Sequence, residues 1–169
     1  MRFAYADPPY PGCAHLYEDQ EDYAGEVDHR ELVRFLEDGN QFDGYCLHTS
    51  STALADVLPL FTDTVRVMAW VKPFAAFKRN VSVAYAWEPV IVKACRKPVV
   101  KPGMTYRDWI AEPITLKRGL TGAKPEAVCR WLFEVCGCEP EDELVDLFPG
   151  TGAVTDAWES WRSQTRLAV

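Results

Sequence analysis

Apolar positions recur along the chain with two different periods. Arg2 to Ala6 alternates before a Pro-Pro stop and predicts a short strand. Val27 to Asp38 carries Leu32, Val33, Phe35 and Leu36 at helical spacing. Asp28 is the expected N-cap of that helix, Glu31 completes a capping box, and Gly39 stops it. Tyr45 to His48 predicts a strand, and Thr52 to Phe61 a helix capped by Ser50 or Ser51. Val65 to Val71 is rich in β-branched and aromatic residues and predicts a strand ended by Lys72-Pro73; Glu88 to Ala94 predicts another, centred on Val90, Ile91 and Val92. Pro125 to Cys136 predicts a helix with Pro in its first turn and Gly137 after its end. Leu144 to Leu147 reads as a buried strand, followed by a glycine turn, a helix over Ala153 to Trp161, and a last edge strand over Arg166 to Val169.

Strands alternating with helices predict an α/β domain with a largely parallel sheet. Two stretches, Lys72 to Trp87 and Arg96 to Ala123, carry few periodic signals. In an open α/β sheet such loops lie near the ligand. There are no internal repeats, and 169 residues with 48% apolar types suit one domain, 1–169, with a real core. No stretch approaches the roughly 20 apolar residues of a membrane span. The N-terminal residues show no secretory signal pattern, so a cytoplasmic location is expected.

Charge is uneven. The formal net charge is -7, the wrong sign on average for a nucleic-acid enzyme. The acids crowd the N-terminal part (Glu18, Asp19, Glu21, Asp22, Glu26, Asp28, Glu31, Glu37, Asp38), whereas the middle, 72–118, is basic and includes Lys72, Lys78, Arg79, Lys93, Arg96, Lys97, Lys117 and Arg118. The middle is the expected nucleic-acid face, with Lys72, Lys78 and Arg79 as substrate contacts. Of six cysteines, Cys129, Cys136 and Cys138 cluster, but Cys136-Gly-Cys138 has no second ligand pair and no nearby His, so no metal is expected. The cysteines read as reduced, mostly buried, small apolar residues.

Two loops carry chemistry. Asp7-Pro8-Pro9-Tyr10 follows a strand, so it lies at the strand's carboxyl end, where such sheets bind ligands. An aromatic amine is a poor nucleophile because its lone pair is delocalised into the ring. Two acceptors that hold its N–H groups direct the lone pair at an incoming methyl. Asp7 supplies a carboxylate; Pro8 and Pro9 offer carbonyls without competing N–H donors; Tyr10 offers a flat face on which to stack a base. The second loop, Asp146 to Gly152, joins a strand to a helix. Its glycines let the backbone approach a ligand, and it lacks the Lys-Ser/Thr of a P-loop and the third glycine of a dinucleotide fingerprint. It suits a nucleoside-bearing cofactor without a pyrophosphate. His48 reads as a core or pocket-edge histidine, since no third group joins it to Cys46 or Ser50. Trp109, Trp131, Trp158 and Trp161 read as core.

Taken together, these motifs resemble the permuted amino-methyltransferases, which include DNA adenine methylases of the β order and adenine methyltransferases of eukaryotic messenger RNA. There too the Asp/Asn-Pro-Pro-aromatic loop precedes the cofactor loop. Trp70-Val71-Lys72 resembles that family's Trp-x-Lys strand end. Trp87-Glu88 resembles its His-Glu segment with Trp for His. Lys124-Pro125 resembles the Lys-Pro motif beside the methionine part of the cofactor, and Trp158 to Gln164 its final aromatic segment. Arg162-Ser163-Gln164 departs from the family's Gly-Asn-acid/amide ending. The resemblance implies a Rossmann-like methyltransferase fold that uses S-adenosylmethionine to methylate N6 of adenine in nucleic acid, DNA favoured over RNA. Asp7, Pro8, Pro9 and Tyr10 would be catalytic. Asp7, Lys124, Asp146, Phe148, Gly150, Gly152, Ser163 and Gln164 would hold the cofactor. No separate target-recognition domain is evident, so either sequence preference is loose or a partner supplies the recognition surface; a homodimer or partner subunit is a further expectation. The rival readings are a non-catalytic subunit of this fold, and an enzyme acting on a free nucleotide or unusual base.

Overall fold

The computed structural model describes residues 1–18, 25–74, 81–100, 102–115 and 123–167. Six strands form one sheet: β1 (Arg2–Ala6), β2 (Gly44–His48), β3 (Arg66–Val71), β4 (Trp87–Lys93), β5 (Trp109–Ala111) and β6 (Glu143–Asp146), in the order β5-β3-β4-β2-β1-β6. The ladders run β1 parallel to β2 and β6, β3 parallel to β5, and β4 antiparallel to both β2 and β3. Five strands therefore point one way and β4 alone points back. This is the mostly parallel α/β architecture expected from the alternation of elements, and it fits the Rossmann-like fold that the resemblance implies.

The helices are α1 (His29–Leu36), α2 (Leu54–Val57), α3 (Glu126–Val135) and α4 (Ala153–Leu167). One face of the sheet packs Phe3, Tyr5, Met68, Trp70 and Val90 against α3 and α4, through Leu132, Phe133, Trp158 and Trp161. The other packs Ala4, Ala6, Tyr45, Leu47 and Ile91 against Val33 and Leu36 of α1 and Val57 of α2. Among the described residues, no helix is long and apolar enough to cross a membrane.

Several boundaries differ from the sequence reading, each for a local reason. Asp28 caps α1 as expected, its Oδ1 accepting from Arg30 N at 2.9 Å and Glu31 N at 3.1 Å. Glu31 pairs with Arg34 instead of closing the capping box. Phe35, expected on the buried stripe, is exposed and meets Phe42 edge-on, with ring centroids 5.4 Å apart. The helix expected over Thr52 to Phe61 is one α turn followed by a 3-10 turn over Leu58–Leu60. Pro59 offers no N–H to a continuing α-helix there. Ser50 does act at its start, accepting from Ala53 N at 3.1 Å. The edge strand expected from Arg166 is not formed: Arg166 and Leu167 belong to α4, and 168–169 lie outside the described residues. Trp131, Trp158 and Trp161 are core, but Trp109 stands on β5, 42% exposed.

Asp142, just before β6, ties the α3–β6 connection to the residues after β4. Arg96 donates to both its oxygens, at 2.7 and 2.9 Å, and Glu139 N donates at 2.8 Å. Burial opposes ionisation, but the Arg96 hydrogen bonds win and hold the carboxyl at about 2. Its folded pKa lies below its unfolded value. The stabilisation is therefore complete above pH ~4 and lost as pH falls towards 2. Asp142→Asn is expected to lower stability by roughly 2 kcal/mol at pH 7, with the gap to the parent closing in urea titrations as the pH approaches 2. A gap of equal size at both pH values would assign the loss to packing.

Candidate active site

The strand directions gather the chemistry at one end of the sheet. β1 and β6 are adjacent and parallel, with Tyr5 opposite Asp146 and Leu147 N donating to Tyr5 O at 2.9 Å. The loops that follow them, Asp7 to Tyr10 and Asp146 to Gly152, therefore leave the same edge side by side. β2 and β3 also end here, at His48 and Val71-Lys72. Because β4 runs the other way, its beginning, Trp87-Glu88, arrives at this same end. Lys124 comes in just before the Pro125 N-cap of α3.

The result is a buried polar cluster. Lys124 Nζ lies 2.8 Å from Asp7 Oδ2 and 3.1 Å from Glu88 Oε1. Lys72 Nζ donates to Glu88 Oε2 at 2.7 Å. His48 Nδ1 lies 2.6 Å from Glu88 Oε1; a carboxylate only accepts, so Nδ1 carries the proton. The His48 ring stands 5.1 Å from that of Tyr5, and its Nε2 is buried with no partner among the described residues. Both ammonium groups also face the Trp70 indole, at 4.4 Å from its centroid for Lys72 and 5.5 Å for Lys124. Trp70 is held in turn by its Nε1 donating to Glu112 O at 2.7 Å.

Two carboxylates and two ammonium groups balance one another, which is what allows such burial. Burial pushes the Glu88 carboxyl up, yet Lys124, His48 and Lys72 together outweigh it and hold Glu88 well below the usual carboxylate range. Burial alone would lower the Lys124 ammonium, but Asp7 and Glu88 raise it, so it stays charged. Ligand atoms of Asp7, His48 and Glu88 lie within 4.8 Å of one another, a spacing that could suit a metal ion. Lys124 already supplies positive charge to both carboxylates there.

The second loop has the features of a ligand cradle. Asp146 Oδ1 accepts from Phe148 N at 3.2 Å, while its Oδ2 is buried without a partner among the described residues. Burial raises the Asp146 carboxyl, the Phe148 N–H and, more weakly, the Thr155 side chain oppose this, and the Asp7 charge adds to it. Gly150 and Gly152 take φ of +43° and +75°, a region where side chains are strained, and a Cβ on Gly152 would meet nothing within 4 Å. A turn with free space beside its backbone and an unsatisfied acceptor at its root fits the adenosyl-bearing cofactor expected from the sequence.

Not every expected residue joins this site. Ser163 and Gln164 lie in the outer half of α4, ten and eleven residues beyond Ala153, or about 15 Å of helix. Ser163 Oγ donates to Glu159 O at 2.7 Å, and Gln164 Oε1 accepts from Arg130 at 2.7 Å. The structure does not bring them to the cofactor loop. Lys72 joins the buried cluster. Lys78 and Arg79 lie outside the described residues. Tyr10 is half-buried at the loop's turn, its carbonyl accepting from Cys13 N at 2.8 Å. Much of the described basic middle is neutralised by acids, Lys72 with Glu88, Lys93 with Asp63 and Arg96 with Asp142, as is Arg66 just before it with Asp108. Glu88, matched to the family's His-Glu segment, and His48, read as a core or pocket-edge histidine, are assigned no role in the site by the sequence reading. The signal for the cluster they form is a carboxylate opening an otherwise apolar strand, which demands buried partners.

No family model matches this chain, and no curated protein sequence does. Solved structures do. The chain is similar to M1.HpyAVI in its complex with SAM, with a TM-score of 0.63 and 17% identity over 96% of this chain and 78% of that one. It is similar to M1.HpyAVI alone with a TM-score of 0.57 and 18% identity over 95% and 76%. The fold is thus shared nearly end to end, at an identity that speaks for the fold alone.

Proposed function

We propose that this chain transfers a methyl group from S-adenosylmethionine to N6 of adenine in nucleic acid, DNA favoured over RNA. The observation that carries the reading is the juxtaposition of the two loops. Asp7-Pro8-Pro9-Tyr10 and Asp146 to Gly152 come from opposite ends of the chain and meet at one sheet edge, beside Lys124. The shared fold with M1.HpyAVI, whose structure holds SAM, supports the choice of cofactor.

The cofactor would supply an electrophilic methyl on a sulfonium. Asp146, Phe148, Gly150 and Gly152 would hold its adenosyl part, and Lys124 would lie beside its methionine part. Asp7 has given one oxygen to Lys124, which leaves the other to accept an N–H of the target amine. The Pro8 carbonyl would take the second N–H, and Tyr10 would stack the base. The methylated amine is a cationic acid that sheds its proton readily, so no strong general base is needed. Catalysis is then orientation and electrostatics.

The test is methyl incorporation from labelled S-adenosylmethionine into single-stranded DNA, duplex DNA, RNA and free nucleotides, followed by nucleoside analysis. N6-methyladenine in a polynucleotide supports the reading; transfer to none of the four refutes it. One specific observation favours a second reading. The net charge of -7 and the neutralised basic side chains suit a free nucleotide or unusual base better than a polyanion, and label in the nucleotide arm alone would establish it. A cytoplasmic setting fits the six cysteines, all of which are free thiols. A homodimer or partner subunit remains part of the proposal, to be read from sedimentation of the purified chain.

A further inference from the structure

The outer end of the sheet has a face that the helices leave uncovered. Register places Trp109, Ala69 and Pro89 in one row across β5, β3 and β4, and Ala111, Val71 and Trp87 in the next. Alternation turns these residues away from Trp70, Glu88 and Ile110, towards the side covered by α1 and α2. That cover extends over Val67 and Ile91. Beyond them Trp109 is 42% and Trp87 40% exposed, and Ala111 is exposed as well. The two indoles stand two strands apart, on the order of 10 Å, beside the half-buried Ala69 and Val71 and the buried Pro89.

The charges on this face are segregated. The chain holds 25 acids, yet none occupies a strand position here: Asp108, Glu112 and Glu88 all fall on the opposite parity. Lys93 is neutralised by Asp63 at 2.6 Å, which leaves the Arg107 guanidinium, over the Trp109 ring and 5.1 Å from its centroid, as the cation of this face among the described residues. Self-docking of an apolar face does not require acids to be excluded, whereas a polyanion does. Exposed indoles flanked by a guanidinium are what unstacked bases and their phosphates need, and only an unpaired strand offers its base faces.

We propose that the β5-β3-β4 face binds a single-stranded stretch of nucleic acid, with bases stacking on Trp109 and Trp87 and Arg107 meeting the backbone. The proposal rests on the reading of a nucleic-acid substrate. Trp87 adjoins Glu88, so the platform begins at the catalytic end of the sheet and would hold nucleotides flanking the target.

The experiment measures anisotropy of a labelled oligodeoxyadenylate of about 16 nucleotides with the full chain, without cofactor, at low salt, alongside sedimentation of the protein alone. Trp109→Ala and Trp87→Ala are each expected to weaken binding roughly five- to hundredfold, and Trp109→Phe to recover most of the loss. Arg107→Ala should reduce the slope of log affinity against log salt by about one. Affinity unchanged in both tryptophan variants, or no binding by the parent, overturns the platform. So does a parent dimer that Trp109→Ala dissolves without changing oligonucleotide affinity, which would assign the face to a second copy. Because binding is read without methyl transfer, the two readings fail separately: an oligonucleotide bound but never methylated leaves the platform standing and refutes the active-site assignment.

Discussion

Asp7→Ala is expected to lower methyl transfer a hundred- to thousandfold while leaving the chain folded. The carboxylate stands in a loop and is partly exposed, so its removal opens no cavity in the core. Lys124 loses its contact at 2.8 Å but keeps Glu88 at 3.1 Å; two ammonium groups then share that one carboxylate, which lowers stability without opening the core. What disappears is the acceptor that would hold the target amine. One preorganised polar contact aimed at a transition state is worth about 2.7–4 kcal/mol, which sets the expected factor. Asp7→Asn keeps an acceptor oxygen and should retain measurable activity where Ala does not. Calorimetry should find S-adenosylmethionine binding at least partly retained in both variants. Parent-like rates in Asp7→Ala would remove this loop from the chemistry and reduce the similarity to a shared fold.

The two loops were legible because each is a local signal: a strand, then residues whose backbone and side chains suit a ligand. Their meeting was legible too, since parallel strands of such sheets present their loops at one edge. The cluster that backs them was not. Periodicity marks Glu88 to Ala94 as a strand but does not give its direction. Only the reversal of β4 brings Glu88 between Lys72, His48 and Lys124. The sheet's outer edge was hidden for a different reason. β5 is three residues long inside a loop without period, so Trp109 read as an isolated apolar residue and was assigned to the core. The far half of α4 was missed because Arg162-Ser163-Gln164-Thr165-Arg166 has no apolar stripe. There the helix end is tied to neighbouring elements by polar bonds, Gln164 Oε1 accepting from Arg130 at 2.7 Å and Arg166 donating to Pro140 O at 3.2 Å. Ser163 and Gln164, matched by position in the sequence, are carried away from the site by that continuation.

Glu88→Gln is expected to be the most damaging single-atom exchange in the molecule. Glu88 is 3% exposed and is the one carboxylate shared by Lys124, Lys72 and His48. Replacing it by an amide leaves two ammonium groups facing one partly exposed carboxylate, Asp7, with an uncompensated positive charge in a buried site. Breaking a buried ion pair from one side typically costs about 3–5 kcal/mol. A loss of that order is expected in urea titrations at pH 7. The pH dependence separates charge from shape. Glu88 has a folded pKa well below its unfolded one, so its stabilisation is present above roughly pH 4.3 and is lost as pH falls towards the folded value. The gap between parent and variant should therefore narrow steadily below about pH 4, whereas a steric effect of the amide would persist. In chains that remain folded at neutral pH, the variant should also bind S-adenosylmethionine more weakly, because Lys124 would be held by Asp7 alone. A stability gap under 1 kcal/mol at pH 7, or one that does not change with acidification, would mean that the cluster is not organised around Glu88.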